Sequence, residues 1–231
     1  MDEVNVSNLN RETKKVREEI LIKKEEIDSK YLYLFVKRII DIFGSLIGLV
    51  VLSPLFLIVA YKIKKEDPSG PIFFSQERVG KNGKTFKMYK FRSMCVDAEE
   101  KLEFLLQHNE VQGAMFKMKE DPRVTKIGKF IRKTSIDELP QLWNVIKGEM
   151  SLVGPRPPLI REVLEYTSFS KQRLLVKPGC TGLWQVSGRN HVGFEEMVEL
   201  DLKYISNQSL VNDFKIILKT FKIIILPNGA Y

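Results

Sequence analysis

From Ile39 to Tyr61 the chain reads IIDIFGSLIGLVVLSPLFLIVAY, 23 residues whose one charge is Asp41. No other stretch restricts the fold as strongly. A run of this length matches the hydrocarbon thickness of a bilayer, whereas the core helix of a globular domain is usually shorter and keeps a polar face. Ser53-Pro54 lies inside it. The proline removes a backbone donor and crowds the preceding turn, so a bend is expected there, with the serine hydroxyl beside it to satisfy a freed carbonyl. Flanking Lys and Arg mark the cytoplasmic end of a span. Here the upstream flank holds Lys23, Lys24, Lys30, Lys37 and Arg38, and the downstream flank Lys62, Lys64, Lys65, Arg78 and Lys81. Equal flanks favour a segment that enters, turns at Ser53-Pro54 and leaves by the same face; a simple crossing is the competing topology.

The remainder of the 231 residues is enough for one ordinary domain with a core of its own. Net charge is +8, and residues 1–36 carry 7 Lys/Arg against 8 Asp/Glu, so the basic excess lies beyond them. That excess points to an anionic partner: a phosphorylated ligand, an acidic membrane surface or nucleic acid, of which the apolar run disfavours the last. Two cysteines, Cys95 and Cys180, and an opening that does not read as a cleavable signal fit a reducing, cytosol-facing location. With His108 and His191 the only histidines, a zinc site is not expected.

The segment before the apolar run, LNRETKKVREEILIKKEEIDSK, has a sparse stripe at Val16, Ile20 and Ile27 and reads as a surface helix or a lead-in. After it, PIFFSQERVGKNGKTFKMYKFRSM places two β-favouring runs around Asn82-Gly83, a strong hairpin signal. Arg78, Lys81, Lys84, Lys87, Lys90 and Arg92 make this hairpin densely cationic, which suits either a solvated edge or a phosphate site. A helix is expected from about residue 97 to 108. In TSIDELP, Ser135 and Glu138 have capping-box spacing, and Ile136, Leu139, Leu142, Trp143 and Ile146 follow at helical spacing up to Gly148. On that reading Asp137 is a first-turn acid near a helix dipole. The same pair can instead do chemistry: carboxylates attack phosphorus, and they bind Mg²⁺. Gly154-Pro155-Arg156-Pro157 would present Arg156 on a stiff backbone, to a phosphate or, as a plain turn, to solvent, and KPGCTGLWQVSGRN offers Trp184, Gln185 and Arg189 for a nucleobase or is a surface loop. Near the C-terminus, FKIILKTFKIIILPNGAY suits an interfacial helix with Lys215, Lys219 and Lys222 toward headgroups, or an amphipathic packing helix.

Taken in order, KRIIDIFGSLIGLVVLSPLFLIVA, GPIFFSQERVGKNGKTFKMYKFRSM, TSIDELPQLWNVIKGEMSLVGPRP and KPGCTGLWQVSGRN closely resemble the bacterial sugar transferases, the monotopic phosphoglycosyl transferases, over residues 36–231. The resemblance implies an α+β, mainly helical fold. It divides the chain into a charged extension (1–35), a re-entrant membrane helix (36–64) hinged at Ser53 and Pro54, and a cytosolic catalytic domain (65–231) with a β-hairpin and interfacial helices. It further implies transfer of a sugar 1-phosphate, a hexose such as glucose or galactose, from a UDP-sugar to undecaprenyl phosphate with release of UMP. Asp137 would be the nucleophile and a Mg²⁺ ligand, and Glu138 its partner. Lys90, Arg92 and Arg156 would serve the phosphates, and Gln185 and Arg189 the nucleotide or sugar. The location implied is the cytoplasmic face of the bacterial inner membrane; a homodimer is compatible with it. A non-catalytic membrane-bound scaffold for anionic lipid is the alternative reading of the charge and the apolar run.

Overall fold

The computed structural model describes residues 22–105, 118, 120–187 and 193–225. It is mostly helical. Helix α1 (Lys24–Asp28) precedes α2 (Tyr31–Val51) and α3 (Ser53–Glu66), which meet at an angle of 59°. The chemistry of the bend is local. Pro54 has no N–H to offer the carbonyl of Val50 four residues back, and the Ser53 hydroxyl donates to that same oxygen at 2.7 Å. No single helix is long and apolar enough to cross a membrane among the described residues, though the bent pair together passes that test. Tyr31, Phe35, Phe43, Ile47 and Val50 on α2 and Leu57 and Tyr61 on α3 are all exposed.

Strands β1 (Phe73–Val79) and β2 (Thr85–Phe91) form an antiparallel hairpin with Phe74 opposite Lys90 and Arg78 opposite Phe86. Asn82 (φ 56°) and Gly83 (φ 78°) make the turn, the left-handed geometry that Asn-Gly tolerates. Then come α4 (Ala98–Leu105), α5 (Lys126–Lys133), a single 3₁₀ turn (Ile136–Glu138) and α6 (Gln141–Lys147). Beyond them lie β3 (Ser151–Val153), α7 (Ile160–Leu164), α8 (Ser168–Lys171), β4 (Gly179–Thr181), α9 (Leu183–Ser187), α10 (Phe194–Ser206) and α11 (Leu210–Ile225). β3 and β4 form a short parallel pair, which the sequence pattern did not announce.

The acid pair corrects one expectation. No capping box forms at Ser135: that residue is left-handed (φ 56°), its side chain makes no cap bond, and the α-helix starts only at Gln141. A serine in the left-handed region cannot act as an N-cap, which needs extended backbone. The expected stripe is also shifted. α6 buries Gln141, Asn144 and Val145, while Trp143 is exposed. Gly148 (φ 83°) does end the helix.

Three apolar clusters hold the body together. Val59 and Ile63 of α3 pack with Phe91 of β2 and Ile131 of α5, so the bent pair is fused to the hairpin and to the helix leading into the acids. Met88, Val145 and Met150 join β2 to α6. Ile27 of α1 joins Val153, Leu202, Ile205 and Ile216, which ties the segment before the apolar run into the body; Val16 and Ile20 lie outside the described residues. Helix α11 buries Ile216 inward and leaves Val211, Phe214, Leu218 and Phe221 exposed outward, interleaved with Lys215, Lys219 and Lys222.

Two charged contacts fasten the acid-bearing segment to the bent pair. The Glu66 carboxylate, at the end of α3, accepts from the first two amides of α5, Lys126 N at 2.7 Å and Ile127 N at 2.9 Å. Arg38 of α2 donates to the last carbonyls of α6, Val145 O at 2.6 Å and Ile146 O at 2.8 Å. Each charge sits at the helix end whose dipole it complements. The buried Asp41 carboxylate meanwhile accepts from Ser151 Oγ at 3.1 Å and Leu152 N at 2.9 Å, which explains the lone charge in the apolar run.

Candidate active site

A cleft of about 290 Å³ opens between the hairpin, the 3₁₀ turn, the loop around Arg156, β4 and α9. Arg78, Lys90, Arg132 and Arg156 line it together with Asp137 and Glu138, and Gln141, Trp184 and Gln185 complete the wall. With both acids ionised the lining has two positive charges in excess, a match for a diphosphate.

Asp137 is 8% exposed. Burial pushes its carboxyl up to about 6, Lys90 opposes that, Glu138 reinforces it, and Arg132 opposes it again. Lys90 Nζ lies 2.7 Å from Glu138 Oε1 and 4.0 Å from Asp137 Oδ2, bridging the two acids. The glutamate that sequence spacing would send back to a helix cap is therefore held by a lysine 48 residues earlier. Lys90 in turn is fixed by its strand. Asn144, fully buried on α6, accepts from Tyr89 N at 3.0 Å and donates to Lys87 O at 2.7 Å, locking β2 against the helix that follows the acids.

The Gly-Pro-Arg-Pro loop, which also lines the cleft, has few N–H groups of its own, yet the four successive carbonyls from Pro155 to Pro158 are all engaged. Pro155 O accepts from Gly179 N at 2.8 Å, Arg156 O from Arg173 at 3.3 Å, Pro157 O from Arg78 at 3.1 Å, and Pro158 O from Val79 N at 3.0 Å. Gly179 must be glycine for this approach, since a Cβ there would fall 2.1 Å from Gly154 N. Arg173 is itself held by Asp201 at 2.6 Å and by the Tyr166 hydroxyl at 2.6 Å. The Arg156 side chain lies 3.6 Å from Glu162 Oε1, and the other oxygen of Glu162 accepts from Leu159 N.

Of the residues the sequence singled out, Asp137, Glu138, Lys90, Arg156 and Gln185 converge on the cleft, with Gln185 Nε2 donating to Cys180 O at 3.4 Å. Arg92 does not. Its guanidinium clasps Asp67, donating to Oδ2 and to the backbone oxygen at 2.8 Å each, and lies over Gly70, where a Cβ would be 1.5 Å from it. β2 ends at Phe91, so the alternation that brings Met88 and Lys90 to the cleft no longer governs the next side chain. Ser53 and Pro54 stand at the bend, away from the cleft, and Arg189 lies outside the described residues. Sequence reasoning did not single out Asn144 or Arg173, and it left Arg78 among the general cations of the hairpin and Arg132 among those of the stretch before the acids, with Arg123, Lys126, Lys129 and Lys133. Strand register carries a signal for Arg78. Opposed pairs share a face, so the Phe86–Arg78, Met88–Gln76 and Lys90–Phe74 pairs put Arg78 on the side of Lys90.

Residues 32–227 match the family described as bacterial sugar transferase, and the chain belongs to that family. Among its relatives, a "Galactosyl transferase CpsE" of Streptococcus agalactiae serotype III is 54% identical over 87% of this chain. An "Undecaprenyl-phosphate galactose phosphotransferase" of Salmonella typhimurium is 47% identical over 85% of it. The chain spans less than half the length of these two, 44% and 42% respectively. It spans 88% of an "Exopolysaccharide production protein ExoY" of Sinorhizobium fredii, at 43% identity.

Proposed function

We propose that this chain is a membrane-bound phosphoglycosyl transferase that moves a sugar 1-phosphate from a UDP-sugar to undecaprenyl phosphate as an early step of polysaccharide synthesis. The observation that carries the reading is the buried Asp137 carboxylate facing a cleft lined by four cations. Its oxygen attacks the phosphorus that bears the sugar; a P–O bond to Asp137 forms, the diphosphate bridge breaks, and UMP leaves with the bridging oxygen. An oxygen of the lipid phosphate then attacks the same phosphorus, the acyl-phosphate bond breaks, and the Asp137 carboxylate is restored. Lys90 holds Glu138 beside the nucleophile and stabilises the ionised pair, while Arg156 meets phosphate oxygens in the same cleft. Galactose is the sugar to test first, given the names of two relatives.

The donor set bears on Mg²⁺. Among the described residues no group of three or more His, Cys, Asp or Glu side chains is placed to hold a metal ion. Mg²⁺ commonly takes one or two carboxylates and completes its shell with water and substrate phosphates, a pattern that Asp137 and Glu138 fit. Bound there, it would neutralise charge on the diphosphate.

The exposed apolar side chains of α2, α3 and α11 support a location at a bilayer. A re-entrant pair at the cytoplasmic face would leave Glu26 and Lys84 on one side, so cysteines introduced at the two positions should be labelled together in inverted vesicles; labelling from opposite sides would favour a crossing. For the reaction, the detergent-purified chain is incubated with undecaprenyl phosphate and a panel of UDP-sugars, and UMP is followed. Turnover with UDP-galactose, lowered about a thousandfold or more in Asp137→Asn, is expected. No UMP from any sugar, or an active Asp137→Asn, would overturn the proposal.

A further inference from the structure

Four arginines are buried among the described residues: Arg78, Arg92, Arg123 and Arg173. Three of them have a carboxylate. Arg92 pairs with Asp67 at 2.8 Å, Arg123 with Asp121 at 2.7 Å and Arg173 with Asp201 at 2.6 Å. Arg78, 7% exposed, has no carboxylate among the described residues within ion-pair distance. Its bonds go to neutral groups, Pro157 O at 3.1 Å and Gln76 Oε1 at 2.7 Å, and its Nε has no hydrogen-bond partner. Burial pushes its pKa down to about 10, and the positive charge of Arg156 adds to that.

A buried charge is normally matched by a counter-charge or a full set of hydrogen bonds, because lost hydration is otherwise not offset. Glu162 and Glu138 favour the charged form of Arg78 from a distance, but no described carboxylate touches it, and an anion arriving in the cleft would supply a direct partner. Arg78 also stands on the wall of the cleft, beside a second guanidinium, where two planar donor forks suit the oxygens of one phosphate.

We propose that Arg78 and Arg156 together form a phosphate seat in the cleft that also holds Asp137, and that a phosphate of the substrate supplies the direct anionic partner Arg78 lacks. The inference rests on the function proposed above. The group seated is a phosphate, either that of the UMP portion of the donor, which becomes a monoester when the diphosphate bridge breaks, or the monoester headgroup of the lipid acceptor. In this role Arg78 touches substrate as well as holding the Pro157 carbonyl, whereas a purely structural Arg78 would only hold the loop.

Binding separates the two. The full chain in detergent is titrated calorimetrically with UMP and uridine, and with farnesyl phosphate and farnesol, in wild type, Arg78→Met and Arg78→Lys. A seat predicts that the variants lose about ten- to a hundredfold in affinity for a phosphate-bearing ligand while its phosphate-free counterpart changes by no more than about twofold. Loss confined to UMP assigns the seat to the donor, and loss confined to farnesyl phosphate assigns it to the acceptor. A parallel fall for both members of a pair, unchanged phosphate affinity in the variants, or a wild type that does not favour either phosphate over its control overturns the seat. Thermal melting monitors folding; if Arg78→Met does not fold, Arg78→Lys carries the measurement. A wild type that binds phosphate as expected but releases no UMP would sink the proposed function and leave the seat standing. An active wild type whose Arg78 variants keep phosphate affinity would sink the seat alone.

Discussion

Two irregular stretches of backbone line the cleft, and they are held in different ways. The Gly-Pro-Arg-Pro loop is fixed from outside: donors from β1, β4 and the turn after α8 occupy four consecutive carbonyls, and two of those donors are buried arginines. The turn bearing Asp137 and Glu138 is fixed mostly by itself and by charge. Glu138 N donates to Ser135 O at 3.3 Å, Leu139 N to Ile136 O at 3.2 Å, and Lys90 reaches across to both acids. The contrast teaches that the wall carrying Arg156 is a rigid template, while the nucleophile sits on a turn whose protonation and placement are set by its neighbours' charges.

The largest effect should come from loosening the template. Arg173→Met leaves Asp201 buried without its partner and frees the Arg156 carbonyl, so chemical denaturation should show a loss of about 3–5 kcal/mol. Replacing both, with Asp201→Leu added, should recover much of that stability, since a buried ion pair often gives little net gain over apolar packing. Failure of the double variant to recover would mean that the arginine holds the loop more than it balances a charge.

On the other wall the expected signature is a pH profile. Attack requires ionised Asp137, so kcat/KM should rise as pH rises through about 6 and fall away below it. Lys90 pulls that pKa down, and Lys90→Met should therefore move the acid limb to higher pH. A limb that stays in place would show that Lys90 does not tune the nucleophile. The smallest effect is at Ser135, whose left-handed backbone costs a non-glycine residue free energy. Ser135→Gly should stabilise the fold by about 0.5 kcal/mol, seen as a small rise in melting temperature, and Ser135→Val should lower it.

The local signals in the sequence were those that a single chemical group decides. Asn82-Gly83 made the hairpin, Pro54 made the bend, and Gly148 ended its helix. The sequence was misleading where a distant residue outbid a near one. Glu138 has the spacing to cap a helix, but Lys90 takes it, and Ser135 turns left-handed instead of capping. Arg92 is two residues from Lys90, yet Asp67 claims it. Asn144 falls off the apolar stripe that the sequence shows, and is buried where Tyr89 and Lys87 supply its partners. β3 and β4 are three residues each, too short for a periodic pattern, so the parallel pairing that sets the Arg156 loop had no signature of its own.

Glu66 and Arg38 lie on opposite sides of the Ser53-Pro54 bend and grip opposite ends of residues 126–147. The two helices are thus the limbs of a bow, and the segment carrying Asp137 is its string. Straightening the bow would have to stretch the string or tear one of its knots, so the angle at Pro54 and the seat of the nucleophile are one mechanical quantity.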